Sequence, residues 1–228
     1  MPGPKSFELS PSVAILIAGV IIAGTILYTN ANPATALSAT DGAPTADTHV
    51  AAPSAADHII GSPTAPLVLI EYGDLQCYYC GLAHPTIKRI VEESQGQVAW
   101  VFRHFPLENI HPEAKPSAIA SECVFDQLGN DGFWGFADAM FNNQAAMGAR
   151  YYEQVATGLG ADLDTFRSCV ASGAAYGKIT SQALEAQQNG GQGTPYTILF
   201  DRRGQAGVSG ALPYETFAAV IKAFKERQ

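Results

Sequence analysis

The sequence predicts an α/β domain in which a block of helices interrupts a small sheet. Three observations carry this. Two strand-like runs, 67–72 and 97–104, flank a helical segment. Apolar residues then recur at helical spacing from about 112 to 189. Last, a strand–turn–strand pattern precedes a C-terminal segment with one apolar stripe. Strand, helix and strand over so short a stretch suggest a parallel βαβ unit. The closing pair adds a hairpin, antiparallel to the earlier strands or at the edge.

Each element has a local reason. Residues 67–72 read Leu-Val-Leu-Ile-Glu-Tyr and are bounded by Pro66 and Gly73, hence a central strand. Segment 81–91 carries Leu82, Ile87, Ile90 and Val91; Pro85 inside it removes a backbone donor and should kink the helix. Residues 97–104, Gln-Val-Ala-Trp-Val-Phe-Arg-His, alternate well enough for a second strand. In the middle block Ile119 and Cys123, Phe136 and Met140, Tyr151 and Val155, and Phe166 and Val170 each share a helix face. Gly129-Asn130-Asp131-Gly132 and Gly158-Leu159-Gly160 divide that block into several short helices, a lid or subdomain whose core is Trp134, Phe136, Tyr151 and Tyr152. Residues 196–201 read as a strand, Arg202-Arg203-Gly204 as a turn, and 206–209 as the partner strand. Pro213 opens the last helix, where Phe217, Val220, Ile221 and Phe224 line one side.

The first 56 residues are of another kind. Residues 13–28 carry no charge and, with their flanks, approach the roughly 20 residues that span a bilayer. Lys5 precedes them, and no Lys or Arg follows until Lys88, while Asp41, Asp47 and Asp57 do. The positive-inside tendency leaves the N-terminus in the cytoplasm and exports the rest. The expectation is a single transmembrane helix retained as an anchor over 1–28. The alternative is a cleaved signal segment, with Ala34-Thr35-Ala36 as the small-x-small site. Residues 29–56, rich in Ala, Pro, Thr and Ser, hold too little apolar surface to offset their ordering entropy and read as a disordered, flexible linker. The domain proper is then 57–228, with its helical insert at about 112–189, long enough for one buried core. The net charge of −8, with no basic stripe, argues against nucleic acid as a partner.

The chemistry rests on four cysteines. Cys77-Tyr78-Tyr79-Cys80 follows the first strand and opens the helical segment. Cysteines three apart at a helix start lie about one turn from each other, so a disulfide can close or open with little backbone movement. Unpaired N–H groups at the helix N-terminus also favour a thiolate on Cys77. That suits reversible thiol–disulfide exchange. The alternatives are a structural disulfide or half a zinc site, but zinc usually needs a second short-spaced pair. Cys123 and Cys169 are too far apart in sequence to be one. They read as a structural disulfide stapling two insert helices; two buried free thiols or an electron relay are the alternatives.

The strand, Cys77-Tyr78-Tyr79-Cys80, the helical insert and Gly193-Thr194-Pro195 before the next strand together resemble the DsbA-like thiol–disulfide oxidoreductases of the thioredoxin superfamily. The resemblance runs from about residue 57 to the C-terminus and implies a thioredoxin-like fold with a helical insertion. It implies that Cys77 is the attacking thiolate, exposed at the helix start, and Cys80 the resolving thiol, one turn inward. Thr194-Pro195 resembles the cis-proline loop that lies against the Cys pair and pairs with substrate peptide; a plain turn is the alternative. Glu71 matches an acidic residue beneath the disulfide that assists proton transfer to the buried thiol; the alternative is an edge position facing water. The family's strongest oxidases have a histidine where this chain has Tyr79, which carries no positive charge near neutral pH. Tyr78 and Tyr79 would instead shape a substrate-facing surface. His84 could reach the rim of the site or sit on the surface.

The implied function is a thiol–disulfide oxidoreductase whose catalytic domain is extracytoplasmic and membrane-anchored. It would act as a dithiol oxidase on exported proteins with free thiols, its pair recycled by a membrane redox partner. The alternatives are a reductase or isomerase, or a tethered peptide-binding module or chaperone with an inert pair. No cofactor and no metal ion is implied.

Overall fold

The computed structural model describes residues 49–227, so the expected membrane helix within 1–28 and the linker up to residue 48 lie outside the described residues. No helix among the described residues is long and apolar enough to cross a membrane. Five strands form one sheet in the order β1-β3-β2-β4-β5: His58–Ile60, Leu67–Gly73, Val98–His104, Tyr196–Asp201 and Gly204–Ser209 for β1 to β5. β2 runs parallel to β3, with Leu67 opposite Val98 and Tyr72 opposite Arg103. β4 pairs antiparallel with β2, and β5 antiparallel with β4. β2 is therefore central, and all seven of its residues are buried.

Because side chains alternate across a strand, β2 feeds two cores. Leu67 and Leu69 join Trp100 and Phe102 on one face. Val68, Ile70 and Tyr72 join Val101 and Ile198 on the other. Over the first face lie α1 (Tyr78–Glu93), α2 (Ala114–Asn142) and α6 (Tyr214–Glu226), which contribute Ile87, Phe136 and Phe217 among others. Pro85 lies inside α1 without ending it. The stripe on α6 buries Phe217, Ile221 and Phe224.

The insert consists of α2, a short 3-10 turn (Gln144–Ala146), α3 (Ala149–Leu159), α4 (Leu163–Ser172) and α5 (Tyr176–Gln188). Gly129 interrupts α2 with φ 67° and ψ −154°, a conformation that costs glycine least. Cys123 of α2 and Cys169 of α4 are joined in a disulfide. Helix α5 covers the second face of the sheet. Along it Glu185 accepts from the Tyr72 hydroxyl at 2.6 Å and from Arg103 at 2.9 Å. Arg103, itself buried, also donates to both carboxylate oxygens of Asp57.

Two features depart from the sequence reading. β1 is a strand of three residues, too short to show a period, and pairs antiparallel with β3. Residues 49–56, assigned by composition to the linker, are seated on the domain. Val50 is buried; its N–H donates to the Gln205 side chain at 2.7 Å, and its carbonyl accepts from the same amide at 3.0 Å. Ala51 N–H donates to Glu185 at 2.8 Å. These partners are more than 130 residues away, so no local window reveals them.

Candidate active site

β2 delivers the chain to a tight loop, 74–76, and then to Cys77, the N-cap of α1, with Cys80 in the first turn. Cys77 N–H donates to Asp74 O at 3.0 Å, and Gly81 N–H to Cys77 O at 3.1 Å. Contrary to the expectation of an exposed nucleophile, Cys77 keeps only 4 % of its surface. The neighbouring tyrosines take the solvent instead, Tyr78 at 65 % and Tyr79 at 60 %. The insert and the 194–195 loop close over the helix start, and a sequence window does not see them.

The two thiols are electrostatically unequal. The Cys80 thiol hydrogen-bonds the Cys77 sulfur and, with N–H groups of Tyr79 and Cys80, overcomes desolvation and brings Cys77 down to about 6. Burial pushes Cys80 well above the ordinary thiol range, and the Cys77 and Glu71 charges add to this. Thr194 and Pro195 are joined by a cis peptide bond. Thr194 O lies 3.4 Å from Cys77 Sγ and accepts its S–H when that thiol is protonated.

Glu71 does not face water. It is 1 % exposed, and Trp100 Nε1–H donates to its Oε2 at 2.9 Å, while its Oε1 has no hydrogen-bond partner. Burial raises its pKa to about 8 in spite of that bond, and a Cys77 thiolate raises it further. The site thus holds a carboxyl that is protonated at neutral pH, with one oxygen lacking a hydrogen-bond partner, and its charge when ionised raises the Cys80 thiol. Trp100 escaped the sequence reading. The β2/β3 register sets it opposite Leu69, one side-chain step along the same face from Glu71.

Three further contacts position the redox loop. The buried Asp74 carboxylate accepts from Gln76 N–H at 2.8 Å, Leu107 N–H at 2.9 Å and His111 Nδ1 at 2.8 Å. Its own N–H points to Cys80 Sγ at 3.5 Å. From the insert, Gln144 Nε2 donates to Leu75 O at 3.0 Å and Cys77 O at 2.8 Å. None of these residues carried a sequence signal, because each acts across more than 30 positions or on backbone. His84 lies neither at the rim nor on the surface: it is 6 % exposed, bonded to Asp138 and packed edge-on to Trp100.

A family model described as "Thioredoxin" matches residues 54–223. Among curated proteins, "Na(+)/H(+) antiporter NhaA 3" of Salinispora tropica is 32% identical over 147 residues, 64% of this chain and 22% of that protein. "Na(+)/H(+) antiporter NhaA 1" of Mycolicibacterium vanbaalenii is 33% identical over 141 residues, 61% of this chain and 22% of that protein. The chain spans about a fifth of the length of these curated relatives. Among solved structures, Pseudomonas aeruginosa DsbA2 superposes with a TM-score of 0.58 at 24% identity, covering 78% of this chain and 98% of that one. Oxidised BdbD from Bacillus subtilis does so with a TM-score of 0.63 at 18% identity, covering 80% and 96%. These likenesses establish the fold.

Proposed function

The chain belongs to the thioredoxin family, is DsbA-like in build, and by its fold and cysteine pair is a thiol–disulfide oxidoreductase; from that premise we propose that it is a dithiol oxidase of exported proteins. The observation that carries this reading is the asymmetry of the pair. Cys77 is a thiolate at neutral pH, whereas Cys80 resists ionising. A stabilised Cys77 thiolate is a good leaving group, and it stabilises the reduced enzyme, which makes the disulfide form the stronger oxidant.

In the forward cycle a substrate thiolate attacks Cys77 Sγ of the Cys77–Cys80 disulfide. The bond to Cys80 breaks, and the departing Cys80 sulfur takes a proton from the Glu71 carboxyl. A second substrate thiolate then attacks the substrate sulfur of the mixed disulfide, and Cys77 leaves as thiolate. The substrate loses two electrons and gains a disulfide; the enzyme holds them as a dithiol. A membrane redox partner removes them again. The cis Thr194–Pro195 loop flanks the sulfur that carries the substrate, with Tyr78 and Tyr79 presenting an exposed aromatic surface beside it.

Export follows from residues 13–28 acting as an anchor, with the domain on the far side of the membrane. The Cys123–Cys169 disulfide supports an oxidising compartment. The curated relatives carry the name of Na(+)/H(+) antiporters, but this chain spans about a fifth of their length, and ion transport forms no part of this reading.

The test is stoichiometric transfer. The oxidised chain is mixed with a reduced, unfolded protein that has two cysteines, and its disulfide is followed by mass. One disulfide gained per enzyme reduced is the expected result. Faster reduction of a disulfide substrate than oxidation of a dithiol would move the function to reduction or isomerisation. Tight capture of the substrate without exchange would make the chain a binding module.

A further inference from the structure

Apart from the redox site, a buried cluster of two histidines and a glutamate joins the sheet to the insert. His58 stands at the start of β1, His104 ends β3, Glu122 lies on α2 and Lys178 on α5, so two strands and two insert helices meet there. His58, His104 and Glu122 are buried, at 0 %, 1 % and 3 % exposure. Glu122 Oε1 lies 2.8 Å from His58 Nε2 and 3.1 Å from His104 Nε2, and the three donor atoms fall within 4.8 Å of one another. Lys178 Nζ sits 2.8 Å from Glu122 Oε2 and 3.3 Å from His58 Nε2.

This arrangement asks two incompatible things of one nitrogen. A neutral imidazole nitrogen carries either a proton or a lone pair. His58 Nε2 faces a carboxylate oxygen, which needs the proton, and an ammonium, which needs the lone pair. Its Nδ1 has no partner, so nothing on the far side pins the tautomer. Burial also keeps the ring uncharged, pushing His58 down to about 4. Against burial, hydrogen bonds from His104 and His58 hold the Glu122 carboxyl well below the usual range, so the acid is ionised. A metal ion would meet a lone pair from each of the three donors and remove the conflict.

We propose that His58, His104 and Glu122 bind one first-row divalent transition-metal ion, zinc by its ligand chemistry, in exchange for the ammonium of Lys178. Two imidazole nitrogens and one carboxylate oxygen are a zinc ligand set, with water as the fourth ligand. Imidazole favours zinc, copper or nickel over calcium or magnesium. Tetrahedral ligands at about 2.0–2.1 Å from zinc stand about 3.4 Å apart; the separations of 2.8 Å and 3.1 Å from Glu122 Oε1 would open by about 0.6 Å and about 0.3 Å, and the two imidazole nitrogens lie within 4.8 Å of each other. The exchange swaps one cation for another beside Glu122. Lys178, 28 % exposed along its side chain, has a short path to water. The ion would brace the sheet against the insert close to the redox loop: Phe105, next after His104, donates to Gly73 O at 2.8 Å.

The experiment uses the full chain, oxidised at Cys77 and Cys80 so that neither thiol can take metal, and stripped with a chelator. Zinc is titrated by calorimetry, and cobalt is titrated by visible absorption. The expected result is one equivalent of zinc, intense bands of four-coordinate cobalt and a raised melting temperature. His104→Gln removes a direct ligand and should lose more zinc affinity than the roughly 10–100-fold that loss of an outer-shell partner costs. Lys178→Met, a gain that a misfolded variant cannot produce, should bind at least about tenfold tighter because no ammonium competes. A wild-type chain that takes up no zinc, or uptake unchanged in both variants, overturns the proposal.

Discussion

Cys77 and Cys80 stand three residues apart at the start of one helix, whereas Cys123 and Cys169 stand 46 apart on two. The first pair is surrounded by unequal influences. Backbone N–H groups and a neighbouring thiol lower one sulfur, while burial and the charges of Glu71 and Cys77 raise the other. In the second pair Cys123 has no exposure at all and Cys169 packs half-buried against the core, and their bond ties α2 to α4. The same bond therefore serves two purposes. Where the sulfurs are close in sequence and electrostatically unequal, the bond can be exchanged. Where they close a long loop inside packed helices, it restrains the unfolded chain.

The comparison breaks most sharply at the redox pair. Cys77→Ser with Cys80→Ser should abolish disulfide transfer to an unfolded dithiol while leaving the thermal unfolding of the domain nearly unchanged. Transfer that survives this double change would end the distinction. The second pair should behave the opposite way. Cys123→Ala with Cys169→Ala should lower stability by about 4 kcal/mol, the chain-entropy value for a loop of this length, seen in urea unfolding, with exchange largely intact. Loss of turnover at unchanged stability would make this pair a relay.

Glu71→Gln sharpens the contrast on a smaller scale. Slowing of the step that protonates Cys80 by about 10²-fold, with Cys77 still a thiolate at pH 7, is the expected outcome in single-turnover kinetics. The same variant changes stability with pH. The folded pKa of Glu71, about 8, lies above its ordinary 4.5, so the folded state binds the extra proton in that window. Stability from this group is fully present below about pH 4.5 and is lost as pH rises to about 8. At roughly 1.4 kcal/mol per pKa unit the loss amounts to a few kcal/mol. The Gln variant should lack this decline, as denaturant midpoints at pH 5 and pH 8 would show.

The same divide between near and far explains what could be read from the sequence. The central strand 67–72, the Cys pair at a helix start and the glycine breaks of the insert are local patterns, and each appears in the fold at that place. The burial of Cys77, the bond from Trp100 to Glu71, and the clamps from Asp74 and Gln144 depend on strand register and on an insert that folds back. Residues 49–56 show the same limit from the other side. Their composition is that of a linker, yet Gln205 and Glu185 supply backbone partners from far along the chain.

The central claim is that the unequal environment of Cys77 and Cys80 makes the pair an oxidant. The most direct test is the reduction potential of that pair at pH 7, titrated against a glutathione buffer. The account predicts a value clearly less negative than thioredoxin's, about −270 mV, and displaced towards about −120 mV, with the Cys77 thiolate titrating near 6 in the same reduced protein. A potential at or below about −270 mV would contradict it and assign the chain to disulfide reduction.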